Sequence, residues 1–270
     1  MFTNILKYLL ALMVVLVMMM PGWSFAGQSA PVPGENTEPY PGALWNDPLT
    51  GIDFVWVPAG SFMMGSVSGH WDEQPVHEVV VSQGYWISKY EVTQAQWERL
   101  MRYNPSRFKG ANRPVEKVSW NNCRDFVSML NRQSHTVEYA SPTEAQWEYA
   151  ARGGPYSSGF SYAGSNDPRE VAWCGENCGC SSHEVGQKKP NELGIYDMSG
   201  NVWEWTRDGR YFYSTAREVD PCMENDRYGR VCRGGGWNRE GVYSRVTNRR
   251  KTPSRFAFSN IGVRLVVMPK

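Results

Sequence analysis

"YDMSGNVWEWTRD", residues 196–208, is the stretch from which the fold can be read. Gly200-Asn201 marks a tight turn, because Gly and Asn tolerate the left-handed backbone such turns require. Directly after it, Glu204 stands between Trp203 and Trp205. Large indoles belong in a core, and an unpaired carboxylate among them is costly. Glu204 therefore either points outward or meets a cation.

Working outward from this turn, the N-terminal half carries regular structure. "IDFVWVPAGSFMMGS" reads as a strand ended by Pro58-Ala59-Gly60 and followed by a second short strand, and "HEVVVSQGYWISKYEVT" adds two more around Gly84. "TQAQW" from Thr93 and "TEAQW" from Thr143 each place Gln three residues after Thr, the grammar of a capping box. "SWNNCRDFVSML" starts a third helix at Ser119, with Cys123, Phe126, Val127 and Leu130 forming one apolar stripe. After Arg152-Gly153-Gly154 the helical period is lost. The following hundred or so residues are dense in Gly, Trp, Tyr, Asn and Cys, with short strand-like runs such as "GVRLVV". A core with so little regular structure needs packed aromatics, disulfides or bound ions.

The 270 residues divide into three parts. Residues 1–26 have the layout of a signal peptide: Lys7, the apolar run Leu9–Met20, then Ser24-Phe25-Ala26. That run is shorter than the roughly 20 residues a spanning helix needs. A periplasmic or secreted protein without a membrane anchor after cleavage is expected. Residues 27–50 read as a Pro/Gly-rich arm, and 51–270 as one domain. Formal charge is +1, with acids and bases interspersed, so nucleic acid is not an expected partner. Export makes disulfides the expected state of Cys174, Cys178, Cys180, Cys222 and Cys232, one of which must lack a partner among them. Zinc at Cys174, Cys178 and Cys180 is the alternative. Cys123 reads as a buried free thiol.

Taken in order, "VWVPAGSFMMGS", "DEQPVHEVVVSQGYWISKYEVTQAQW", "RPVEKVSW", "SPTEAQWEYAARGG", "PNELGIYDMSGNVWEW", "CRGGGWN" and "NIGVRLV" resemble the formylglycine-generating enzyme, or sulfatase-modifying factor, family. The resemblance implies an α+β, C-type-lectin-like fold: a small twisted antiparallel sheet, two or three helices and much irregular chain. It also implies a structural calcium ion held by the side chains of Asp197 and Glu204 and the carbonyls of Gly200 and Val202. Calcium takes such mixed carboxylate and carbonyl sets. A salt bridge from Glu204 to Arg207 or Arg233 is the alternative. The family's second calcium site has no clear counterpart in "VAWCGENCGCSSHEVG".

Family members oxidise a substrate cysteine with copper held by two cysteine thiolates downstream of the "RGG" turn, and soft thiolates suit Cu(I). No cysteine follows Cys232 here. Copper-dependent formylglycine formation is therefore not expected. Cys232 is better explained as a disulfide partner of Cys222. His70, His77, His135 and His183 have no spacing suited to a shared ion, and the iron-binding helical domain of sulfoxide-synthase relatives has no room here. At the family's site position stand Trp237, Asn238, Arg239, Tyr243, Arg245, Asn248, Arg249 and Arg250. Flat rings offer contact area and arginines offer forked donors to carboxylate or phosphate. The expected ligand is a peptide or small molecule. The protein would act in oxidative maturation of a secreted compound, as family members that finish pyoverdine do. Two alternatives stand beside this reading. One is a non-catalytic binding module on the same fold, and the other a sulfatase activator with unusual cofactor chemistry.

Overall fold

The structure, a computed structural model, describes Pro33 and residues 38–269. The expected signal peptide and residues 27–37 of the arm, Pro33 excepted, lie outside the described residues. Among the described residues, twelve strands, β1 to β12 in chain order, form three sheets. The first is antiparallel throughout: β1 (Leu44–Asn46), β2 (Asp53–Val57), β5 (Tyr85–Ser88), β12 (Val266–Pro269) and β6 (Val137–Ala140), in that spatial order. The last strand thus lies between elements from the first half of the chain. The stretch read as an arm contributes β1 to this sheet.

The second sheet runs β10 (Arg250–Thr252), β9 (Arg230–Arg233), β7 (Trp203–Gly209) and β11 (Ile261–Val263), with β11 parallel to β7. The third joins β3 (Gly60–Met64), β4 (His77–Val81) and β8 (Glu218–Val219), with β8 parallel to β4. The architecture is α+β as expected, with parallel pairs in two sheets that alternation patterns do not reveal.

All three expected helix starts form. They lead into α1 (Gln94–Met101), α2 (Trp120–Gln133) and α3 (Glu144–Ala151), capped by Thr93, Ser119 and Thr143. At α3, Thr143 accepts the Gln146 N–H at 3.1 Å and Gln146 accepts the Thr143 N–H at 2.9 Å. A fourth, one-turn helix, α4 (Pro168–Val171), starts at Asp167. The α2 stripe buries Cys123, Phe126 and Leu130 against Trp97, Phe54, Tyr139 and Trp205. Phe126 stacks on Trp97 with centroids 4.8 Å apart. Helix α3 is buried nearly all round, including Glu144 and Glu148. Among the described residues no helix is long and apolar enough to cross a membrane.

The disulfide expectation is overturned: all six cysteines are free. Cys232 points from β9 into the same core cluster as Cys123, whereas Cys222 lines a surface pocket beside Arg207. They do not face each other. Cys178 donates to the Trp237 carbonyl at 2.9 Å, and Cys180 is exposed. Aromatic packing and buried ion pairs hold the irregular half instead.

Candidate functional site

The cation that meets Glu204 is a third arginine, neither Arg207 nor Arg233. Arg264, between β11 and β12, donates from Nε at 3.0 and 2.9 Å and from Nη2 at 2.7 Å to the Glu204 carboxylate. The Trp147 indole N–H adds a bond at 2.6 Å. Arg264 also donates to the carbonyls of Ser88 and Tyr196 at 2.7 and 2.8 Å, and both charged side chains are wholly buried. Parallel pairing of Gly262 with Glu204 brings the two elements into register.

The turn before Glu204 is built from left-handed residues: Asp197 (φ 58°), Gly200 (φ 88°) and Asn201 (φ 57°). A Cβ on Gly200 would fall 2.6 Å from the Trp173 carbonyl, so only glycine fits there. Asn201 donates to Glu91 at 2.7 Å and the Val202 N–H donates to Glu91 at 3.1 Å. Asp197 accepts the Gly186 N–H at 2.7 Å. Glu91, Asp197 and Glu204 are thus three buried carboxylates served by the single guanidinium of Arg264. Burial raises Asp197 to about 6 despite the Gly186 bond. Burial, then the charges of Asp197 and Glu204, push Glu91 well above the usual carboxylate range. Among the described residues no three His, Cys, Asp or Glu converge as a metal cage.

The eight residues expected at the ligand site separate. Arg239, Tyr243, Asn248, Arg249 and Arg250 line one cleft of about 310 Å³. Its other walls are Trp203, at the start of β7, and His70, Trp71 and Asp72 from the loop after β3. Trp71 is 65% exposed, and the His70 ring stacks on Tyr243 at 5.9 Å with 16° between planes. Trp237 lies to the side of the cleft: its N–H bonds the Ser259 carbonyl at 2.9 Å and its ring meets Phe108 edge-on. Asn238 accepts from Asn260 at 2.7 Å. Arg245 supports the wall by pairing with buried Glu73 at 2.7 and 2.8 Å.

Two of the lining residues are struts as well. Arg249 grips Glu144 at 2.6 and 2.7 Å and donates to the Asp72 carbonyl at 2.7 Å, fixing the loop to α3. Asn248 reaches Glu73 at 3.4 Å. Burial alone would raise Glu73, but bonds from Arg245, Thr247 and the His70 N–H hold it down at about 2. The loop is thereby clamped. His70, Trp71 and Asp72 were not expected at the site. The signal for them was an aromatic and two acids between Gly69 and Pro75, just after a strand.

Compared with known proteins, residues 43–269 match the sulfatase-modifying factor enzyme 1-like domain. The chain belongs to this sulfatase-modifying factor family. It is 34% identical over 262 residues to the chaperone protein LppX of Paenibacillus barcinonensis, covering 78% of this chain and 86% of that one. Among solved structures it is similar to Treponema denticola variable protein 1, with TM-score 0.73 and 29% identity over 80% of this chain and 94% of the other. It is also similar to PvdO from Pseudomonas aeruginosa, with TM-score 0.73 and 26% identity over 84% and 98%. Within the family this chain is divergent. It has no close cysteine pair, and no thiol lines the cleft.

Proposed function

We propose that the protein is an exported family member that takes a peptide or small aromatic compound into the His70–Arg250 cleft and takes part in its oxidative maturation without thiolate-bound copper. One observation carries this reading. Residues from the segment just after "RGGGWN", Arg239 to Arg250, and from the loop after β3 converge with Trp203 on a cleft of about 310 Å³, a size that suits a small ligand. Similarity to PvdO over 84% of this chain and 98% of that one supports it. The test compares material secreted by a strain lacking the gene with that of its parent, by mass spectrometry. A secreted compound accumulating in a reduced form is expected, and an unchanged profile would sink the proposal. In parallel, the purified protein should leave a cysteine-containing sulfatase peptide unmodified.

A second reading, a non-catalytic binding module, is favoured by the exposed aromatic and cationic walls and by similarity to the Treponema variable protein. It predicts saturable binding with every ligand recovered unchanged.

Calcium at the turn is part of the first proposal. The charge fits, since Glu91, Asp197 and Glu204 share one arginine. The donors available are the Asp197 carboxylate, the Gly200 and Val202 carbonyls, and whatever capacity Glu204 keeps beside Arg264. The ion would neutralise the turn and brace it. Calcium should raise the melting temperature over that in a chelator, and superimposable curves would remove the ion from the reading.

A further inference from the structure

Four arginines surround the cleft, and their partners divide them. Arg245 is committed to Glu73 and Arg249 to Glu144. Asp72, the one carboxylate lining the cleft, is paired with Arg210 at 3.0 Å. Arg239 and Arg250 have no carboxylate partner among the described residues. Arg239 is exposed, its guanidinium 5.9 Å from the Tyr243 ring. Arg250 lies 5.6 Å from the Trp203 ring and 5.5 Å from Phe258, and its Nη1 is buried with no acceptor.

Resting on the ligand cleft of the proposed function, we propose that Arg239 and Arg250 bind the carboxylate of an aromatic ligand whose ring lies among Trp71, Trp203 and Tyr243. An oxyanion there supplies the acceptor Arg250 lacks and separates two like charges. Burial lowers the Arg250 pKa and the nearby Arg239 charge adds to that, so the free cleft carries an electrostatic cost that an anion removes. Charge-assisted bonds to a forked guanidinium are the strong ones. The flat rings of exposed Trp71 and half-buried Tyr243, with buried Trp203 behind them, favour an aromatic body over a bare ion. The carboxylate could belong to a free aromatic acid or to a C-terminal aromatic residue of a peptide.

Tryptophan fluorescence of the purified protein reads the binding. The probes are 4-hydroxyphenylacetate and N-acetylglycyltyrosine, each against its amide, and inorganic phosphate. Each acid should bind at least about tenfold tighter than its amide. The tighter of the two acids identifies the source of the carboxylate. Arg239→Met and Arg250→Met should each erase the acid preference, and Arg255→Met, whose cation rests on Phe256, should keep it. Arg239 is exposed, so Arg239→Met tests the proposal even if Arg250→Met fails to fold. Equal binding of acid and amide, no binding of either, or retained preference in Arg239→Met overturns the inference. Phosphate binding as tightly as the acids overturns its aromatic half. Equal binding of acid and amide would still leave the maturation reading standing, since that reading fails only on the secreted profile.

Discussion

At the scale of single residues, the Glu204–Arg264 pair carries more than its own charge. Breaking a buried pair from one side leaves an uncompensated charge and costs about 3–5 kcal/mol. Arg264→Met would strand Glu204 and also remove the one cation serving Glu91 and Asp197. Glu204→Gln removes a negative charge from the same cluster and keeps an acceptor for Trp147. Urea unfolding should therefore rank Arg264→Met as clearly the more damaging, by about 3 kcal/mol or more relative to the native chain. Equal losses would mean that the surplus carboxylates are neutralised by protons. The sequence raised the question at Glu204, and "IGVRLV" contained the answer, but nothing local ties the two. The arginines of the cleft show the same limit. Arg239 and Arg250 face it unpaired while Arg245 and Arg249 serve as struts. Their acids, Glu73 and Glu144, lie 172 and 105 residues away in the chain, so sequence adjacency could not separate ligand donors from supports.

At the scale of elements, what was legible was what local chemistry determines. Ser or Thr followed three residues later by an amide produced all three main helix starts, because the cap satisfies backbone donors within a few residues. The apolar runs of β2, β5 and β12 became central strands of the first sheet. The loop holding His70–Glu73 was opaque, because its shape comes from clamps to Arg245 and Arg249 rather than from its own residues. The disulfides failed for a related reason: an expectation of export sets only a preference, and the tertiary fold decides which thiols meet. The melting temperature should accordingly be unchanged by a reductant such as dithiothreitol. A fall of several degrees would mean that a pair of these thiols is joined after all. Thr143→Ala should cost about 1 kcal/mol in urea unfolding, the usual value of such a cap. The loss should exceed that of Thr93→Ala in α1, because α3 also positions Glu144 and Glu148 for Arg249 and Arg233.

At the scale of the whole molecule, two sets of carboxylates pull stability in opposite directions with pH. Glu73, held at about 2, and Glu148, held below its ordinary value by Arg152 and Arg233 against the effect of burial, stabilise the fold in their charged forms. Their contribution is complete above the ordinary glutamate range and is lost as pH falls through their folded values. Asp208 behaves oppositely. Burial, then the charge of Glu144, raises it to about 7, although its oxygens accept the Glu144 and Met223 N–H groups and Arg249 lies near. Its folded form holds a proton that the unfolded chain releases near 4, so between those values stability falls as pH rises. The sum places the optimum at the acid end of the span from about 4.5 to 7. Thermal unfolding across that span should show melting temperature declining from pH 5 to pH 7.5. Asp208→Asn should flatten that decline while lowering stability at pH 5, because its amide cannot accept both backbone N–H groups. A native profile that rises steadily to pH 8 would mean that Asp208 is charged in the fold at neutral pH and that Arg249 compensates it.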